Sequence, residues 1–103
     1  MSNSFQRISI TEAKQKMADG PYQLADIRDE QSFNLGHIDT AVHVTNHNLQ
    51  EFVESTDPDQ PLLIYCYHGN SSQSAAQFFV EKDFTQVFSV DGGYEEWKTQ
   101  TNS

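Results

Sequence analysis

A chain of 103 residues has room for one domain and one hydrophobic core, and its apolar residues, with seven Phe, four Tyr and one Trp, suffice to build it. The formal net charge of −9, from six Lys and Arg against 15 Asp and Glu, excludes a basic face for nucleic acid, because affinity for phosphate backbones rests on clustered cations. No apolar run approaches the roughly 18 residues of a membrane span and no charged-then-apolar leader opens the chain, so no membrane partner is expected.

A single domain is expected over 1–103, with an ordered core over about 6–98 and polar termini, Met1 to Ser4 and Thr99 to Ser103, that fray. Ser9-Ile10-Thr11-Glu12 reads as a capping box, in which the Ser9 hydroxyl takes an early helical N–H and Glu12 reaches back to the cap. The helix it opens runs to about Met17 and is stopped by Gly20-Pro21, with Gly20 suited to a left-handed C-terminal position. Tyr22 to Ile27 reads as a short strand, and Glu30 to Leu35 as one or two helical turns closed by Gly36. Val42-His43-Val44 is a second strand, and Asn46 is placed to cap a helical segment carrying Leu49, Phe52 and Val53.

Asp57-Pro58 and Gln60-Pro61 bound a loop before Leu62 to Tyr65, a continuous apolar run of the kind buried on both faces of a parallel sheet. Ser71 or Ser72 is placed to cap the next helix, whose Ala75, Ala76, Phe79 and Val80 make its apolar face. Gln86 to Val90 is the last strand, and Asp91-Gly92-Gly93 turns the chain into a short helix with Trp97 on its inner face. Strands alternating with helices at this spacing predict an α/β fold with a parallel sheet covered on both sides. Ligands of such sheets bind at the carboxyl ends of the strands, beside helix N-termini.

Cys66, the lone cysteine, lies at one such end, followed by Tyr67-His68-Gly69-Asn70-Ser71-Ser72. One cysteine forms no internal disulfide, and a free thiol survives best in a reducing cytosol, so a cytoplasmic protein is expected. The positive end of the following helix and the loop N–H groups both lower a thiol pKa at this place. Gly69 admits positive φ and Asn70 tolerates it, so the backbone can fold into a nest of N–H donors around one anionic centre. A small buried residue is the bland reading of Cys66, but strand end, glycine-bearing polar loop and helix start together favour a nucleophile. His68 reads as a solvated loop imidazole or as an aid to the thiol, and Asp26 with Arg28 as an ion pair at a neighbouring strand end or as a substrate-placing pair. His37, His43 and His47 read as structural or exposed. With one Cys and no paired ligand spacing, neither a metal centre nor a cofactor is expected.

The stretch Cys66-Tyr67-His68-Gly69-Asn70-Ser71-Ser72 resembles the active-site loop of rhodanese-type sulfurtransferases, particularly the single-domain bacterial kind. Asp26-Ile27-Arg28-Asp29 with Phe33, Gly36-His37-Ile38, and Asp91-Gly92-Gly93-Tyr94 followed by Trp97 stand in that family's order and spacing. The resemblance covers nearly the whole chain and implies a rhodanese-like fold, a five-stranded, mostly parallel sheet with helices on both faces. It implies thiosulfate sulfurtransferase activity: a Cys66 thiolate takes the outer sulfur of thiosulfate as a persulfide, releases sulfite, and passes the sulfur to cyanide or to a dithiol such as thioredoxin. Residues 67 to 72 would hold the anionic sulfur. The loop departs from the broader family, which often has a basic residue two places after the glycine; Ser71 stands there. A cysteine phosphatase or arsenate reductase would need a guanidinium six residues after the cysteine, where Ser72 stands. A persulfide carrier or a non-catalytic protein-binding module is the alternative from another class.

Overall fold

The computed structural model describes residues 4–100. Its elements are β1 (Gln6–Ile8), α1 (Ile10–Asp19), β2 (Gln23–Asp26), α2 (Glu30–Leu35), β3 (Val42–His43), α3 (Leu49–Ser55), β4 (Leu62–Tyr65), α4 (Ser71–Glu81), β5 (Val87–Val90) and α5 (Gly93–Gln100). The strands form one sheet in the order β1-β5-β4-β2-β3, and every pairing among them is parallel. The most apolar runs, β4 and β5, are interior and buried throughout, while the shorter and more polar β1 and β3 are the edges.

Side-chain alternation along β4 divides the core in two. Leu62 and Ile64, with Ala25 and Val87, pack under Phe52 of α3 and Ala76, Phe79 and Val80 of α4. Leu63 and Tyr65, with Leu24, Phe88 and Val90, pack under Ile10 and Ala13 of α1 and against Tyr94 and Trp97 of α5. Each large apolar side chain so buried contributes about 1.5–3 kcal/mol, as an upper estimate. The same alternation carries Cys66, one residue beyond β4, to the α4 face.

Local expectations meet the structure unevenly. The capping box forms, with Glu12 N donating to Ser9 Oγ at 3.1 Å and Ser9 N to Glu12 Oε1 at 2.9 Å. Helix α1 runs two residues past Met17, and Gly20 is extended rather than left-handed (φ 164°). Asn46 does not cap α3. Asn48 stands there instead, and its side chain staples the preceding turn, accepting from Thr45 N at 2.7 Å and donating to the His43 carbonyl at 2.8 Å. Neither Ser71 nor Ser72 caps α4: both lie within its first turn behind Asn70, whose φ of −91° is also not the positive value it could tolerate. Helix α5 still includes Thr99 and Gln100, two residues of the stretch expected to fray, while 1–3 and 101–103 lie outside the described residues.

Candidate active site

Leaving β4, the chain wraps residues 66–70 around the sulfur of Cys66 before entering α4. Cys66 is only 3 % exposed. Gly69 N donates to its Sγ at 3.2 Å and Ser72 N at 3.3 Å, and the Ser72 hydroxyl lies 3.5 Å away. Gly69 holds φ of 95°, and its α-carbon has no room for a side chain: a Cβ there would lie 2.9 Å from Gly92 N. Burial pushes the Cys66 thiol up, but the Ser72 hydroxyl and the N–H groups of Ser72, Gly69 and His68 outweigh it, and the pKa falls below that of an ordinary thiol.

The orientation of those N–H groups is enforced from outside by α5. Tyr94 N donates to the Cys66 carbonyl at 2.8 Å and Glu95 N to the Tyr67 carbonyl at 3.0 Å, so the loop caps N–H groups that α5 cannot satisfy internally. In a trans peptide the C=O and N–H point opposite ways. Anchoring the Tyr67 carbonyl on α5 therefore turns the His68 N–H inward, toward the sulfur. Gly93 makes this approach possible, since a Cβ on it would stand 2.5 Å from the Cys66 and Tyr67 carbonyl oxygens.

Of the loop residues expected to bind substrate, Gly69 and Ser72 are buried against Cys66. Tyr67, His68, Asn70 and Ser71 are exposed around it, and the Tyr67 hydroxyl is tied to Ser32 Oγ at 3.0 Å. Asp26 and Arg28 form a buried ion pair: Arg28 Nη2 donates to Asp26 Oδ2 at 2.6 Å and to the Gly36 carbonyl at 2.7 Å, while Arg28 N and Nε bond Asp26 Oδ1. The guanidinium lies over the Tyr94 ring at 4.3 Å, so the pair touches the loop's support rather than the sulfur. His37 and His43 both stack on Phe33, with centroids 3.8 and 4.6 Å away, and His47 is exposed. A hollow of about 280 Å³ beside the loop is bounded by Leu35, Tyr67, Glu95 and Lys98 among others, and Leu35 on its rim is 83 % exposed. Two features escaped the sequence reading. One is the docking of α5 on the loop carbonyls; the other is Ser89 on β5, whose hydroxyl lies 2.8 Å from that of Ser72. A serine inside the otherwise apolar Val87–Val90 run was the signal for the second.

Comparison with known proteins places the chain in a family. Residues 9–100 match the model of the rhodanese-like domain. Thiosulfate sulfurtransferase GlpE of Pseudomonas aeruginosa (strain LESB58) is 48 % identical over 99 residues, which span 96 % of this chain and 89 % of that protein. Two solved structures share the fold. A rhodanese-related protein from Thermoplasma volcanium superposes with TM-score 0.78 at 22 % identity, covering 93 % of each chain. A protein from Staphylococcus saprophyticus does so with TM-score 0.75 at 24 % identity, covering 90 % of this chain and 93 % of its own. With a family match over most of its length and a near full-length relative at this identity, the chain is a member of the rhodanese-like domain family.

Proposed function

We propose that the protein is a thiosulfate sulfurtransferase that carries sulfur as a persulfide on Cys66. The observation that carries this reading is the convergence of N–H groups from Gly69 and Ser72 on the Cys66 sulfur, in a chain 48 % identical to GlpE. The thiolate attacks the outer sulfur of thiosulfate; the S–S bond of thiosulfate breaks and sulfite leaves with its electron pair. The loop N–H groups and the start of α4 then face the terminal sulfur of the persulfide and stabilise its negative charge. Cyanide takes that sulfur as thiocyanate. A dithiol takes it by forming its own disulfide and releasing sulfide. A protein dithiol such as thioredoxin suits the exposed Leu35 and Tyr67 beside the loop, and a cytoplasmic setting suits the free thiol.

The test is the intact mass of the protein before and after thiosulfate, for wild type and Cys66→Ser. The wild type gains one sulfur atom, loses it to cyanide with release of thiocyanate, and the variant gains none. A wild type that takes no sulfur from thiosulfate, yet accepts it from a protein persulfide, would instead make this a sulfur carrier.

A further inference from the structure

Ser89 is the one polar residue of β5 and has no exposed surface. Burying a hydroxyl in an apolar strand costs stability unless it is hydrogen-bonded. Its register beside Ile64 of β4, and the strand's alternation, turn it to the α4 face with Val87. There it meets Ser72 Oγ at 2.8 Å, and Ser72 is fully buried too. Ser72 has one hydroxyl proton and two neighbours for it, Ser89 Oγ and Cys66 Sγ.

We propose that Ser89 is a positioning residue for the nucleophile: its hydroxyl donates to Ser72 Oγ and thereby turns the Ser72 proton onto the Cys66 sulfur. The proposal deepens the reading of Cys66 as a working thiolate and rests on it. When Cys66 is a thiolate, the protons run from Ser89 to Ser72 to sulfur, each hydroxyl polarising the next. When Cys66 is a thiol, its own proton points at Ser72 Oγ and the Ser72 proton turns back to Ser89. The chain reverses between the two states with no proton leaving either serine, but only when it ends on the thiolate are its bonds charge-assisted, so it favours that state. A serine with a purely structural role would hold Ser72 equally in both states and leave the thiol pKa alone.

The experiment is the pH profile of Cys66 alkylation by iodoacetamide in wild type, Ser89→Ala, Ser72→Ala and the double variant, with Ser89→Thr as the conservative replacement that restores a hydroxyl. Thermal unfolding of each confirms that it folds. Ser89→Ala moves the profile to higher pH, so alkylation below the wild-type midpoint slows about two- to tenfold, the span of one net hydrogen bond. Above both midpoints the rates coincide. Ser89→Thr returns the profile toward wild type, and in the Ser72→Ala background Ser89→Ala changes nothing further. A profile unmoved by Ser89→Ala, or an equal shift with and without Ser72, overturns the proposal. Sulfur uptake by the wild type is measured separately by mass, so failure of the sulfurtransferase reading would appear there and not in these profiles.

Discussion

Asp26, the last residue of β2, carries a carboxylate with no exposed surface, and Arg28 answers that charge. Arg28, two residues on, folds back over it with three side-chain bonds and a backbone N–H. Removing one partner of a buried pair leaves the other uncompensated, at a cost of about 3–5 kcal/mol. Arg28→Met is therefore expected to lower stability in denaturant by that amount, whereas Asp26→Leu combined with Arg28→Met loses markedly less than the sum of the two single changes. An Arg28→Met loss under about 1 kcal/mol would show that solvent, not Arg28, satisfies Asp26. The sequence offered both the ion-pair reading and the substrate-placing one, because spacing of two residues at a strand end allows either. The structure shows the ion pair formed and buried, and burial is what no local pattern of two charged residues reveals. The setting of Cys66 was legible for the opposite reason: it is made by neighbours in sequence, a strand before and a glycine-bearing turn after. Ser89 was not, because its partner Ser72 is 17 residues away and the two meet only when β5 is inserted beside β4.

At the scale of elements, the apolar runs announced β4 and β5 and the capping box announced α1, since each is encoded within a few consecutive residues. Strand β1 was not recognisable: Gln6 and Arg7 are exposed and only Ile8 is buried, so there is no alternation to read, and its identity comes from parallel pairing with β5. The helix starts were misread at Asn46 and at Ser71 or Ser72. Asn48, two residues on, holds the turn before α3, and the Ser72 hydroxyl faces Cys66 and Ser89 instead of capping α4; cap propensity describes only the local choice. The junction of α5 with the loop yields a sharper prediction. Gly93 has φ of 59° and backbone 2.5 Å from its would-be Cβ, while Gly20 is extended with open space around it. Gly93→Ala is expected to cost at least about 2 kcal/mol, seen as a melting temperature about 10 °C lower, and to slow sulfur uptake because the loop carbonyls lose their anchor. Gly20→Ala should be neutral or add up to about 1 kcal/mol. Equal behaviour of the two variants would mean that α5 can back away from the loop freely.

The whole molecule is acidic, and thiosulfate is a dianion. With a formal charge of −9 the long-range field opposes substrate approach, and the cations nearest the site do not reverse it: Arg28 is neutralised by Asp26, and Lys98 lies 2.9 Å from Glu95. On the proposed reading, binding is left to short-range donors, the loop N–H groups and the start of α4, which act within a few ångströms and are screened little by salt. The repulsion extends over roughly a Debye length, about 30 Å at 0.01 M ionic strength and about 10 Å at 0.1 M. Added salt therefore weakens the unfavourable part and spares the favourable part. The KM for thiosulfate is expected to be high and to fall about two- to fivefold between about 0.01 and 0.2 M ionic strength, with kcat nearly constant. Steady-state thiocyanate formation, in a salt whose bulky organic anion does not compete for the loop, measures it. A KM that climbs steeply over the same range would require a cationic approach surface, and the sulfur would then be reached by a route these charges do not describe.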